Sequence, residues 1–190
     1  MTYYERNLPH WQQLAKDLFV TWRLSRSLPS KVIQALQKNR ALEEGERFRR
    51  FDAELDSASF GPAWLKESKI AALVVSALKN LDEKKVCRVH AYVVMPNHVL
   101  LEPAAELRKI TNLVKGRTAR EANRLLGRTG KPFWQDESFD HWIRNSAQFE
   151  RVRNYIERNP VAARLVKRPE EWPWSSAAKQ HRLQPVSPRS

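Results

Sequence analysis

The stretch from Val89 to Pro103 limits the fold more than any other part of the chain. Two runs of aliphatic and β-branched residues, Val89 to Met95 and His98 to Leu101, are interrupted only by Pro96-Asn97. Such a pair of runs around a two-residue turn signal predicts a β-hairpin. Side chains alternate faces along a strand, so His98 and Leu100 share one face and Val99 and Leu101 the other. One imidazole therefore stands on an otherwise apolar strand.

Around that hairpin the periodicities predict an α+β chain with a mainly antiparallel sheet. Asp17 to Leu24, dense in β-formers, reads as the first strong strand, preceded by a polar and aromatic arm over residues 1 to 17. Ser30 is placed to cap a helical stretch from Lys31 to Leu55, which Gly45 bends or splits, since glycine inside a helix costs roughly 1 kcal/mol against alanine. A loop over Ser57 to Pro62 and a helix from about Ala63 to Asn80 follow. After the hairpin comes a basic helix over about Glu106 to Leu126, with Leu107, Ile110, Val114 and Ala122 inward. A loop over 127–132 leads to two aromatic stretches, Phe133 to Asp136 and Phe139 to Ile143, of which the second reads as a strand. The last helix starts at Ser146 and stops at Asn159 before Pro160. The tail should lie on the body through Trp172-Pro-Trp174 and fray at its end. One domain over 1–180 with a flexible tail over 181–190 is the expected organisation.

A length of 190 residues with 42% apolar content suits one buried core. The 34 lysines and arginines against 21 acidic residues leave a net charge of +13, which favours a polyanionic partner. No run approaches the roughly 18 apolar residues of a membrane span, so no membrane partner is expected. The single Cys87 can form neither an internal disulfide nor a cysteine-based zinc site, which fits a cytoplasmic protein.

Tyr155 and Asn159 are four apart and share one face of the last helix. Read alone, a tyrosine there is a packing residue and Asn-Pro an ordinary helix stop. Read together, a phenol that can attack phosphorus stands beside an amide oxygen able to bind a hard cation. Lys109, Lys115, Arg117, Arg120, Arg124, Arg128 and Lys131 form a basic stripe suited to phosphates, and Arg151, Arg153 and Arg158 surround Tyr155 in sequence. Trp11, Trp134 and Trp142 are candidates for stacking on bases, whereas Trp22 and Trp64 read as core.

Met95-Pro96-Asn97-His98-Val99 resembles the start of the His-hydrophobic-His strand of the HUH single-strand nucleases, in the branch of small tyrosine transposases. Tyr155-Ile-Glu-Arg-Asn-Pro-Val-Ala-Ala163, followed by Leu165-Val and Pro169-Glu-Glu-Trp-Pro-Trp-Ser-Ser-Ala177, resembles the C-terminal signature of the REP-associated tyrosine transposases. Phe133-Trp-Gln, Phe139-Asp-His-Trp-Ile-Arg144 and Leu18-Phe-Val-Thr-Trp-Arg-Leu24 are similar to that family's other blocks, and the likeness spans most of 17–177.

The resemblance implies a ferredoxin-like, RNA-recognition-like antiparallel sheet with helices on one face and a helical insertion at about 31–80. It implies hairpin DNA of a repetitive extragenic palindrome as partner, Tyr155 as nucleophile, His98 and Asn159 as ligands of Mg²⁺ or Mn²⁺, and a monomer or homodimer. Two positions depart from the pattern. Leu100 stands where the second histidine belongs, leaving a weakened site of two protein ligands, and Arg164 stands where a helix-ending glycine is common. His10, His90, His141 and His181 are not assigned as replacements. A hairpin-binding protein that has lost cleavage, or an RNA-binding module, are the alternatives.

Overall fold

The computed structural model describes residues 2–5, 9–12, 17–38, 44–57, 60–104 and 107–178. The expected flexible tail at 181–190, and His181 with it, lies outside the described residues. So do the side chains of His10, Trp11 and Lys109.

The strands are β1 (Thr2–Glu5), β2 (Pro9–Gln12), β3 (Leu18–Leu24), β4 (Arg88–Val94), β5 (His98–Ala104) and β6 (Trp134–Trp142). The helices are α1 (Ser30–Lys38), α2 (Glu44–Asp56), α3 (Ser68–Glu83), α4 (Leu107–Leu125) and α5 (Ser146–Ala162). β1 and β2 pair into a two-stranded antiparallel sheet where an irregular arm was expected. β6 is one strand, joining the two aromatic stretches that the sequence separates.

The main sheet has the order β4-β5-β3-β6, antiparallel throughout. The succession β3-α3-β4-β5-α4-β6 with this order is the ferredoxin-like arrangement. Within the helical region between β3 and β4, α3 fills the first helix position of that unit, and α1 and α2 are the added elements. Gly61, in the link before α3, has φ +70°, and a Cβ there would sit 2.0 Å from the Arg26 carbonyl oxygen. Only glycine fits that crossing.

Strand alternation sorts the core into two layers. Leu18, Val20, Trp22 and Leu24 of β3, with Val99 and Leu101 of β5, face α3 and α4 through Ile70, Val74, Leu78, Ile110 and Val114. Phe19 and Leu100 face the other way, with Ala91 and Val93, against Phe48 of α2 and Val152, Tyr155 and Ile156 of α5. Helices thus cover both faces: α3 and α4 form the single layer that was expected, and α2 and α5 lie opposite. The stretch 172–176 seals the edge of β4. Val94 N–H donates to the Trp174 carbonyl at 2.8 Å and Ser176 N–H to that of Tyr92 at 2.9 Å, which satisfies an edge that would otherwise be open. Among the described residues no helix is long and apolar enough to cross a membrane.

Candidate functional site

The site lies on the face covered by α2 and α5. His98 opens β5 opposite Arg23 of β3, directly after the Pro96-Asn97 turn. Asn97 ties that turn to α2, its Nδ2 donating to the Leu55 carbonyl at 2.8 Å. This orientation leaves Asn97 Oδ1 facing His98 Nδ1 at 2.7 Å, so Nδ1 carries the proton and Nε2 a lone pair. His98 is wholly buried, and burial pushes its pKa down to about 3. The ring is neutral at any ordinary pH.

Nε2 points at two carboxylates. Asp52 Oδ1 lies at 3.4 Å and Asp56 Oδ1 at 3.8 Å, both from α2. Residues four apart share a helical face, so Asp52 and Asp56 reach the same place. Burial raises the pKa of each, and for Asp56 the neighbouring charge of Asp52 raises it further. From α5, Asn159 Nδ2 donates to Asp52 Oδ2 at 3.0 Å and to Asp56 Oδ2 at 3.4 Å. The Tyr155 hydroxyl donates to the same Asp52 Oδ2. Burial first, then the charge of Asp52, pushes the Tyr155 pKa upward.

Four buried atoms here have no hydrogen-bond partner: His98 Nε2, Asp52 Oδ1, Asp56 Oδ1 and Asn159 Oδ1. All four are electron-pair donors, and buried polar groups are ordinarily satisfied. One atom each from Asp52, Asp56 and His98 lie within 4.8 Å of one another. Oxygen ligands with one imidazole suit a hard divalent ion such as Mg²⁺ or Mn²⁺. The residues present therefore fit a divalent cation.

His98, Tyr155 and Asn159, expected to act together, are brought together. Leu100 stands two residues beyond His98 on the same face, packed among Phe19, Phe48, Ala91, Val93, Met95 and Ile156. Asp52 and Asp56 were missed. Their signal was present: α2 carries both acids on the side of Phe48 and Leu55, its buried residues, where a solvated acid has no reason to be. His90 is remote from the cluster, its Nε2 lying 3.1 Å from Asp17 Oδ1 and its ring against Phe149. His141 pairs with Gln148, also outside the cluster. Beside Tyr155 a cavity of about 420 Å³ is walled by Phe19, Phe48 and Phe139 and edged by Arg49 and Arg151.

The basic stripe divides. α4 packs on the opposite face of the sheet from Tyr155. There Arg117, Arg120 and Lys131 are exposed, Arg124 pairs with Glu121 at 2.5 Å, and the Arg128 guanidinium lies 3.7 Å over the Trp64 ring. Lys115 departs from the expected phosphate contact: its Nζ donates to the carbonyls of Gln135 at 2.6 Å and Asp136 at 2.9 Å, and burial lowers its pKa to about 8. A partly buried ammonium satisfied by β6 makes a poor phosphate ligand. Trp134 is likewise withdrawn, buried with its Nε1 donating to Thr118 Oγ1 at 2.9 Å. Arg151 and Arg158 are exposed on α5, on the site's side of the sheet.

A search of curated proteins returns no match. Among solved structures, one described as the structure of the REP-associated tyrosine transposase bound to a REP hairpin is similar to this chain. Its TM-score is 0.59 at 18% identity, covering 100% of this chain and 93% of that one. At that identity the likeness speaks for the fold. The family described as "Transposase IS200 like" matches residues 63–159, from the segment before α3 to Asn159. That match covers more than half of the sequence and contains His98, Tyr155 and Asn159, and the chain belongs to the IS200-like transposases.

Proposed function

We propose that this protein binds hairpin-bearing DNA and cleaves and rejoins a single strand beside the hairpin, with Tyr155 as nucleophile and His98 and Asn159 as ligands of Mg²⁺ or Mn²⁺. The reading is carried by one observation: the Tyr155 hydroxyl and His98 Nε2 approach the two oxygens of one carboxylate, that of Asp52. Nucleophile and candidate cation site are thus neighbours across a single side chain.

In the reaction the Tyr155 oxygen forms a bond to phosphorus and the bond to the 3′ oxygen breaks. The strand is left as a 5′-phosphotyrosine with a free 3′ hydroxyl, and rejoining runs the exchange backwards. Tyr155 already directs its hydrogen to Asp52 Oδ2, which gives the phenol an acceptor as its oxygen closes on phosphorus. Its ring is held edge-on by Phe19 and Phe48, with centroids at 6.2 Å and 5.9 Å, so the oxygen is aimed rather than free to swing. The cation, when bound, supplies polarisation of the scissile phosphate. The cavity walled by Phe19, Phe48 and Phe139 has aromatic faces suited to an unpaired base, with Arg49 and Arg151 at its edge for the adjoining phosphates. The solved relative in fold is described with a REP hairpin, which supports the same class of partner here.

The test is incubation of the protein with labelled hairpin DNA and Mn²⁺. A covalent protein–DNA adduct that disappears in Tyr155→Phe, with hairpin affinity kept, is expected. Hairpin binding without any adduct would instead favour a binding protein that has lost cleavage, a reading that rests on Leu100. Preference for RNA over DNA hairpins at equal salt would turn the reading toward an RNA-binding module.

A further inference from the structure

We propose that α2 is part of the catalytic centre: Asp52 and Asp56 are ligands of the divalent cation and fill the coordination lost at Leu100. The role assigned to that cation rests on the strand-cleavage reading above; the binding of a cation to these four side chains does not.

The geometry points to a cation rather than to hydrogen bonding. His98 Nδ1–H is committed to Asn97 Oδ1, so Nε2 has no hydrogen to offer either carboxylate. Asn159 Nδ2 is committed to the outer oxygens of both aspartates. Asn159 Oδ1 and the two inner carboxylate oxygens accept nothing. Four lone pairs are therefore buried together with no hydrogen-bond partner; a proton on one carboxyl can serve at most two of these atoms, whereas a cation between them serves all four. The spacing agrees. Ligands about 2.1–2.4 Å from an ion lie about 3.0–3.4 Å apart when adjacent and about 4.2–4.8 Å apart when opposite. Here the imidazole nitrogen is 3.4 Å and 3.8 Å from the two aspartates, and every pair in the His98, Asp52 and Asp56 set falls within 4.8 Å.

The hydrogen bonds around the cluster have the form of an outer shell. Each ligand's remaining polar atom is held: His98 by Asn97, Asn97 by the Leu55 carbonyl of α2, and the outer aspartate oxygens by Asn159 and Tyr155. Such partners fix ligand orientation. They also make Asp52 a bridge, with Oδ1 toward the cation and Oδ2 on the nucleophile. Leu100, the position that departs from the family strand, belongs to the same apolar cluster as Phe48 of α2, so the helix that helps cover this face also brings the carboxylates. The added segment between β3 and α3 is then a working part of the site.

The test uses the full chain, freed of metal with a chelator and without DNA. Mn²⁺ is titrated and its free electron-spin-resonance signal followed, with thermal melting in parallel. One saturable site is expected, weakened about tenfold or more in Asp52→Asn and in Asp56→Asn. Melting shows that the variants fold and adds a second signature. With Mn²⁺ the wild type should rise and the variants respond weakly. A wild type with no saturable site, or Mn²⁺ affinity unchanged in both aspartate variants, overturns the proposal. A DNA adduct whose Mn²⁺ dependence ignores both variants would sink it while cleavage stands. A Mn²⁺ site sensitive to both, in a protein that forms no adduct, would retire the cleavage reading and leave this one.

Discussion

Replacing Leu100 by histidine restores the residue that the family strand carries, and on sequence grounds alone it should strengthen the metal site and raise cleavage. The packing argues the reverse. Leu100 is fully buried among Phe19, Phe48, Ala91, Val93, Met95 and Ile156, all apolar. Removing a leucine from such a site costs about 2–5 kcal/mol, of which an imidazole regains part by volume. Each ring nitrogen left without a partner then costs about 1–3 kcal/mol. A net loss of about 3 kcal/mol is expected for Leu100→His, which for a chain of this length lowers the melting temperature by about 6–12 °C. Calorimetry with and without saturating Mn²⁺, together with Mn²⁺ affinity, measures both parts. Saturation at a hundredfold excess over Kd stabilises by about 2.7 kcal/mol, and this increment should be no larger in the variant than in the wild type. A variant that melts like the wild type, or one whose Mn²⁺ affinity rises and whose melting temperature recovers fully with the ion, would refute the reasoning. Residue 100 would then reach the cation, and the carboxylates of α2 would not be its substitute.

Glu102, next along the same face of β5, is buried with neither carboxylate oxygen hydrogen-bonded. Burial first, then the charges of Asp17, Glu150 and Glu157 against that of Arg153, raise its pKa to about 8 from 4.5. Between those values the folded state holds the extra proton, so stability should fall as pH rises through the window, by up to about 1.4 kcal/mol per pH unit. Melts of wild type and Glu102→Gln from pH 5 to pH 8.5 should diverge with the variant increasingly favoured; parallel curves would contradict the assignment. On the opposite face, Arg117→Gln with Arg120→Gln should weaken hairpin binding and reduce the slope of log affinity against log salt by about 1–2, with the covalent step on bound DNA unchanged. An unaltered slope would move the phosphate contacts to the side of Arg151 and Arg158.

The strongest local signals were met. The apolar runs around Pro96-Asn97 form β4 and β5, and the 3.6-residue periodicities form α3, α4 and α5, because each pattern buries one face of a single element. Smaller differences follow from local chemistry. Asn145 rather than Ser146 caps α5, accepting from Gln148 N–H at 2.8 Å. Pro160 is carried within the last turn of α5, and Arg164 takes the left-handed conformation, φ 58°, that a glycine would hold without strain.

By itself the sequence determined where the strands and most helices lie and that Tyr155 and Asn159 share a helical face, since each depends on residues a few positions apart; that helices cover both faces of the sheet was decided by the tertiary structure. The resemblance to the family strand also marked Leu100 of β5 as the position where a second ligand would be expected. Only the tertiary structure decided what stands in that ligand's place. Asp52 and Tyr155 are 103 positions apart, and α2 reads as a charged surface helix until it folds across the sheet and takes two of its acids inside. A carboxylate's worth as a ligand depends on which other lone pairs it is buried with, and no local pattern records that.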